Sequence, residues 1–146
     1  MKFNSQVCTT REQSERLLSL GLKKETADMY YPTISDDEHS IRACWEDFWS
    51  SDKLIDGHIR RCCIPAWSLH RLIEMIPDCI TLKDENIEEN YRDATLEIHH
   101  KAVIYESFMV KIYKFKKKSN NLYDNLIDCI EWLIKEGYFN KEYLEE

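Results

Sequence analysis

The stretch NLYDNLIDCIEWLIKEG, Asn121–Gly137, decides the fold that this sequence predicts. At 100° per residue its apolar side chains fall within one arc of a helix, and its acidic side chains fill the opposite side. The apolar arc consists of Leu122, Tyr123, Leu126, Ile127, Cys129, Ile130, Leu133 and Ile134. Ser119, Asn120 or Asn121 can cap the start, and Gly137 can supply the left-handed residue that ends a helix. The pattern predicts an amphipathic helix that buries one face.

The residues before this helix have the composition of β-strands. Residues 94–116 are rich in β-branched and aromatic residues that alternate locally with polar ones. We expect two or three antiparallel strands there, with breaks near His100 and Ser107, and a further strand over Cys79–Lys83. Residues 94–116 contain no Asn-Gly or Asp-Gly pair that would mark a hairpin turn, so the register of these strands stays open. The C-terminal helix is expected to pack on this small sheet.

Shorter helices are predicted upstream, over residues 10–20, 24–31, 35–50 and 65–77. A capping box can begin the first of them with Thr9 and Glu12. The pair Thr10 and Gln13 offers the same box one residue later, and Gly21 ends the helix. The predicted fold is therefore a single α+β domain over residues 1–146, with several short helices, a small antiparallel sheet and an amphipathic C-terminal helix.

Charge and composition exclude several classes of protein. The chain has 146 residues, with 20 basic and 27 acidic side chains and a net charge of −7. This charge disfavours binding to nucleic acid or to an anionic membrane. No apolar run approaches the roughly 20 residues that span a bilayer, and the first residues have no apolar signal segment. We expect a cytoplasmic protein with no membrane contact, in which the six cysteines are reduced.

The closest approach to a metal or thiol site is the group His58, Cys62 and Cys63. A structural zinc site needs four ligands, commonly in two close pairs, and no second close pair is present. The three glycines of the chain form no phosphate-binding loop. We therefore predict no catalytic residues, no metal and no cofactor. A thiol or metal-dependent enzyme is kept as the weaker alternative.

Residues 10–31 have the rhythm of a helix-turn-helix, with Gly21 at the turn. In the run EQSERLLSLGLKKETADMYY, Lys23, Lys24 and Thr26 would face DNA. Glu25 and Asp28 would repel phosphates on the same segment. A DNA-binding regulator is therefore the runner-up function, against two short helices that pack as an ordinary corner.

The only basic stretch lies between Lys111 and Lys118, where aromatic residues alternate with lysines. The pattern is typical of a patch for nucleic acid or for an acidic partner. It is equally typical of an edge strand that lysines protect against unwanted pairing. The second interpretation needs no partner, and we prefer it.

Two tryptophans are predicted on polar helix faces, Trp67 with Arg71 one turn later, and Trp132 among acidic residues. Exposed tryptophan is enriched at interaction sites, so Trp67, Arg71 and Trp132 are the candidate partner-binding residues. The alternative is internal cover, with Trp67 under Arg71 or a loop. For Trp132 the covering residues would be Tyr138, Phe139 or Tyr143.

Three blocks of the chain carry a resemblance: CTTREQSERLLSLGLKKETADM (Cys8–Met29), IPAWSLHRLIEM (Ile64–Met75) and NLYDNLIDCIEWLIKEGYFNKEYL (Asn121–Leu144). They resemble short uncharacterised proteins of gut anaerobic bacteria, often encoded in prophage or mobile-element regions. The resemblance implies a bacterial or phage cytoplasmic setting and names no site residue. The preferred function is a non-enzymatic interaction or accessory protein of such an element, with a protein partner or self-association.

Overall fold

The computed structural model describes residues 5–32, 41–44, 48–49, 63–83, 85–86, 88–89, 92–107 and 112–146. Its contacts group the chain into two compact units, Met1–Ile73 with Lys141–Glu146, and Glu74–Asn140. Helices and antiparallel sheets are both present, so the predicted α+β class is confirmed. The prediction of a single domain over residues 1–146 stays a prediction. Within the described ranges, no helix is both long enough and apolar enough to cross a membrane.

The first unit contains a helix and a small antiparallel sheet. Its elements are α1 (Arg11–Ser19), a 3₁₀ turn (Lys24–Thr26), β1 (Met29–Tyr31), β2 (Arg42–Ala43), β3 (Ile64–Ala66) and a second 3₁₀ turn (Lys141–Tyr143). The strand order is β2-β1-β3, and Met29 of β1 pairs with Ala43 on one side and with Ala66 on the other. Cys8, Tyr31 and Ala66 form a buried cluster of this unit. The chain passes into the second unit within α2 (Leu69–Met75).

Local signals place both ends of α1 as predicted. Of the two capping boxes, the pair Thr10 and Gln13 is formed: Gln13 N donates to Thr10 Oγ1, and Gln13 Oε1 accepts from Thr10 N. At the other end Gly21 has φ of +90°, and Leu22 N donates back to the carbonyl of Leu17. This hydrogen bond satisfies a carbonyl that the helix leaves open at its end.

The predicted second helix over residues 24–31 is wrong. Lys24–Thr26 form only a 3₁₀ turn, and Met29–Tyr31 are an extended strand with partners on both sides. Tyr30 and Tyr31 favour a strand, and both are buried in it. Pairing with two neighbouring strands therefore outweighs the helical pattern of this segment.

Two further helices differ from their predicted bounds. The helix over residues 35–50 is wrong at Arg42–Ala43, which is β2, and most of the remaining span lies outside the described residues. Pro65 does not begin the helix before Pro77, because it lies in β3 opposite Tyr30. The helix begins at Leu69 instead, after Ser68, whose hydroxyl accepts from the backbone N–H of Arg71.

The second unit is a four-stranded antiparallel sheet covered by the C-terminal helix. Its elements are β4 (Cys79–Thr81), β5 (Asp93–His99), β6 (Ala102–Ser107), β7 (Ile112–Lys118) and α3 (Leu122–Glu136). The strand order is β4-β5-β6-β7. The strands predicted within residues 94–116 and the strand ends near His100 and Ser107 are confirmed, and the strand predicted over Cys79–Lys83 is present but ends at Thr81. The register, which the sequence left open, pairs Leu96 with Tyr105 and Tyr105 with Phe115.

Helix α3 packs on β6 and β7, which confirms the predicted role of the opening stretch. The side chain of Asn121 accepts from Tyr123 N at 2.9 Å and begins the helix. Gly137, with φ of +73°, ends it. Lys117 Nζ lies 2.8 Å from Asp128 Oδ2, and the ring of Trp132 contacts the ring of Phe115. The helix therefore runs back along β7.

Candidate functional site

Trp67 lies in the core of the first unit, with 0% of its surface exposed. The prediction that Trp67 lies on a polar helix face is wrong, because Trp67 follows β3 and precedes α2. The backbone N–H of Trp67 donates to Thr9 Oγ1 at 3.0 Å, and its carbonyl accepts from Thr9 N at 2.9 Å. The indole Nε1 donates to Thr26 Oγ1 at 2.9 Å. A residue held in this way has no surface for a partner.

Arg71 belongs to the same internal network. Its Nε donates to the carbonyl of Thr26 at 2.8 Å, and its guanidinium carbon lies 5.6 Å from the centre of the Tyr143 ring. Next to it, the backbone N–H of Lys23 donates to the Tyr143 carbonyl at 2.9 Å. Arg71 thus joins the 3₁₀ turn at Thr26 to the last residues of the chain. The guanidinium group of Arg71 therefore stacks on the ring of Tyr143, a contact that the sequence did not predict.

The residues predicted to face DNA have other surroundings. Thr26 is buried, donates to the Lys23 carbonyl and accepts from Trp67. Lys23 Nζ donates to the carbonyl of Glu142 at 3.2 Å, and Lys24 is exposed on the 3₁₀ turn. All of residues 10–31 are described, and no second helix follows the glycine turn. The helix-turn-helix hypothesis therefore lacks its recognition helix.

Asp28 makes a contact that sequence reasoning missed. Its carboxylate accepts from both the backbone N–H and the hydroxyl of Ser68. Its carbonyl accepts from Cys44 N at 2.8 Å. No local motif pairs positions 40 residues apart, so only the fold brings Asp28 to the start of α2.

Trp132 is the one of the two candidate tryptophans that lies at the surface. It is half-buried, and it lies between two other half-buried rings, those of Phe115 and Tyr138, at centre-to-centre distances of 5.3 and 5.8 Å. The buried ring of Tyr105 lies 5.7 Å away. We name Phe115, Trp132 and Tyr138 the aromatic row. The contact with Tyr138, one of the residues predicted to cover Trp132, is present, and Trp132 also packs on Phe115 and Tyr105 of the sheet, which the sequence did not predict.

The indole N–H of Trp132 differs from those of Trp67 and Trp49. Trp67 Nε1 donates to Thr26, and Trp49 Nε1 donates to the carbonyl of Ala27. No residue that the structure describes accepts a hydrogen bond from Trp132 Nε1. Asn125 Oδ1, and not this nitrogen, is the fully buried polar side-chain atom without a partner in the described part of the chain. The indole N–H of Trp132 is therefore not among the fully buried side-chain atoms without a partner in the described part of the chain.

Lys83 contacts Tyr138 at one end of the aromatic row. Its ammonium group lies 4.8 Å from the centre of the Tyr138 ring and donates to the carbonyl of Glu136 at 2.7 Å. Its backbone N–H donates to the Tyr138 hydroxyl at 3.1 Å. A cation at the C-terminal end of α3 is favourable because the helix dipole is negative there. Nothing in the sequence joins Lys83 to Tyr138, so sequence reasoning missed it.

Burial makes several thiols poor nucleophiles. Burial raises the pKa of Cys44 and of Cys129 to about 12, and it also raises the pKa values of Cys8 and Cys79. Thiols with raised pKa values contain little thiolate at neutral pH. Among the described residues, no three His, Cys, Asp or Glu side chains form a group able to hold a metal ion. His58 and Cys62 of the predicted thiol cluster lie outside those residues.

Because the pKa of the buried Cys129 thiol is raised, we expect the protein to lose stability at alkaline pH. Its pKa rises from an ordinary value of 9.0 to about 12 in the fold, so the folded state holds a proton that the unfolded chain releases above pH 9. Its contribution is therefore complete below pH 9 and is lost between pH 9 and about 12. We expect the unfolding free energy of the wild type to fall by about 1 kcal/mol per pH unit more than that of Cys129→Ala. Urea unfolding at pH 8 to 11 measures both slopes, and equal slopes would contradict the prediction.

No protein-family model, curated protein or solved structure matches this chain. A functional proposal for it therefore depends on the side chains described above, among which Trp132 was selected by the sequence and is half-buried in the structure.

Proposed function

We propose that this chain is a non-enzymatic interaction protein that binds a protein partner through the aromatic row. The observation that carries the proposal is Trp132, a half-buried tryptophan in contact with two other half-buried rings. Tryptophan and tyrosine dominate the energetics of protein interfaces, because they combine a large apolar area with one polar group. A partner that covers the row buries apolar surface and can accept the indole hydrogen bond.

The helix and the strand that hold the rings of the aromatic row favour a binding role for these rings over an exposure without function. Trp132 projects from the third turn of α3, and Phe115 projects from β7, so regular elements hold both rings. The ion pair between Lys117 and Asp128 joins the same helix and strand one helical turn earlier. Side chains that are already ordered lose little conformational entropy when a partner arrives.

The setting that we propose is the bacterial cytoplasm, where the chain would act as an accessory product of a prophage or other mobile element. This part of the proposal is supported by the resemblance of the blocks Cys8–Met29, Ile64–Met75 and Asn121–Leu144. The raised pKa values of Cys8, Cys44 and Cys129 support a role without thiol catalysis.

Affinity purification of the tagged full chain from its host tests the proposal. We expect a protein to be retained by the wild type and retained at least about tenfold less by Trp132→Ala, since the loss of a central tryptophan costs roughly 2 kcal/mol or more. Lys135→Ala is the matched control, because Lys135 is exposed on the last turn of the same helix. It should retain the partner as the wild type does.

Three outcomes would overturn the proposal. One is equal retention of all proteins by the wild type and by Trp132→Ala. Another is recovery of nucleic acid alone. The third is recovery of nothing while light scattering shows a monomer. Because alanine removes three ring contacts, Trp132→Phe provides a second variant that keeps an aromatic ring and removes the indole N–H.

A further inference from the structure

The backbone just after α1 pairs with a short segment from the other end of the sequence. Leu22 and Leu144 form an antiparallel bridge. Protein edges bind extended peptides through such pairing, in which main-chain hydrogen bonds supply affinity and side-chain contacts supply specificity. The hydrogen bonds on either side of the bridge run from Lys23 N to the Tyr143 carbonyl, at 2.9 Å, and from Glu145 N to the Gly21 carbonyl, at 2.8 Å.

We propose that residues 21–23, together with the guanidinium group of Arg71, form a binding site for a protein segment in which an aromatic residue is followed by leucine and glutamate. Residues Lys141–Glu146 of the chain itself occupy this site in the structure, and we call them the resident segment. Its sequence, KEYLEE, gives the chemistry that the site accepts. The inference concerns the first unit alone and does not depend on the aromatic row.

Side chains of the site contact the Tyr-Leu pair of the resident segment. The guanidinium carbon of Arg71 lies 5.6 Å from the centre of the Tyr143 ring. Arg71 Nε donates to the carbonyl of Thr26 at 2.8 Å, so the first unit itself holds this guanidinium group. Leu22, which is 1% exposed, lies opposite the half-buried Leu144, and opposed residues of an antiparallel pair have their side chains on the same face. The site therefore recognises an aromatic ring and the leucine that follows it.

The charges of the site and of the resident segment are complementary. Lys23 Nζ donates to the carbonyl of Glu142 at 3.2 Å, and Arg71 adds a second positive charge. Three of the six residues in the resident segment are glutamates. The neighbouring Lys24 and Glu25 are exposed and opposite in charge, so together they leave this balance unchanged. The site therefore favours an acidic segment over a basic one.

The resident segment has little buried surface. All six of its residues are described and none is fully buried, whereas Leu22 opposite it is buried, as are Thr9 and Trp67 of the same unit. Segments with few buried contacts open locally at a free-energy cost below that of global unfolding. We therefore expect the resident segment to leave its site while the rest of the first unit stays folded. A partner segment of the same chemistry can then take its place.

Binding of the resident sequence as a separate peptide tests the inference in the full chain. The probe is a fluorescently labelled peptide of residues 140–146 with blocked ends, and fluorescence anisotropy measures its binding. We expect it to bind the double variant Tyr143→Ala with Leu144→Ala at least about tenfold more tightly than the wild type, because a tethered segment competes at a roughly millimolar effective concentration. Equal binding to both proteins, or binding to neither, would overturn the inference.

A control peptide separates recognition of the Tyr-Leu pair from attraction between charges. It carries alanine in place of the tyrosine and the leucine and keeps every charge of the probe. We expect it to bind the double variant at least about tenfold less tightly, since it loses the stacking on Arg71 and the contact with Leu22. Equal affinities of the two peptides would overturn the proposed chemistry.

Two lysine changes in the double variant locate the peptide on the protein. Lys23→Gln removes the ammonium group that reaches the segment and should weaken binding of the probe about twofold. Lys24→Gln is the matched control, because Lys24 is the next residue and is exposed, and it should leave binding unchanged. Equal effects of the two changes would overturn the assignment of the site.

Hydrogen exchange of the wild type distinguishes a displaceable segment from a permanent part of the fold. We expect the backbone amides of Lys23 and Glu145 to have protection factors at least about a hundredfold below that of Thr9, which donates to the carbonyl of the buried Trp67. Equal protection of all three amides would overturn the inference. This measurement needs no variant, so it decides the question even if the double variant does not fold.

Discussion

Replacing Trp67 with alanine is expected to lower the free energy of unfolding by about 4 kcal/mol. The side chain is fully buried, so the substitution leaves a large cavity that the neighbouring residues fill only in part. It also removes the hydrogen bond from Nε1 to Thr26 Oγ1. Urea unfolding followed by circular dichroism measures the change. A loss below about 1 kcal/mol would mean that Trp67 is not enclosed as described.

A double-mutant cycle separates the hydrogen bond from the packing. Trp67→Phe removes the indole donor and keeps much of the volume, and Thr26→Val removes the acceptor. We expect a coupling free energy of about 1 kcal/mol between the two changes, the usual contribution of a buried hydrogen bond. Additive changes would show that the 2.9 Å contact contributes nothing to stability.

Leu133→Ala is expected to lower the free energy of unfolding by about 3 kcal/mol. Leu133 lies at the centre of the buried face of α3 with 0% exposure, and the helix covers β6 and β7. Lys135→Ala, two residues away and exposed, should change stability by no more than about 0.5 kcal/mol. Equal effects of the two substitutions would contradict the orientation of α3.

Leu133→Met and Trp132→Phe separate an effect on folding from an effect on partner binding. The two residues are adjacent, but Leu133 is fully buried and Trp132 is half-exposed at the flank. A conservative change such as Leu133→Met should therefore leave partner retention unchanged. Loss of the partner in Trp132→Phe, which keeps a ring in place, would then reflect the surface that the indole N–H offers.

Only part of the candidate site could be predicted from the sequence. Trp132 stands out in sequence because a large aromatic residue breaks the polar side of a helical pattern, and its contact with Tyr138 follows from the short distance along the chain. Phe115 and Lys83 carry no such signal, since strand register and helix packing bring them to Trp132. The same reasoning failed for Trp67. Pro65 suggested a helix start, but pairing with Tyr30 made this segment a strand and turned the indole inward.

The sequence by itself determined the elements whose signals are local. The bounds of α3 follow from Asn121 and Gly137, and those of α1 follow from Thr10 and Gly21, because caps act over one helical turn. Alternation and β-branched composition were likewise sufficient for β5, β6 and β7.

Only the tertiary structure decided how wide the buried face of α3 is and which segments pair. Asn125 is fully buried although it is polar. Trp132 packs on Tyr105 and Phe115, because β6 and β7 lie against its side of the helix. Met29–Tyr31 became a strand because partners on both sides satisfy its backbone groups. These outcomes depend on residues distant in sequence, whose free energies of burial and pairing exceed the small local preferences.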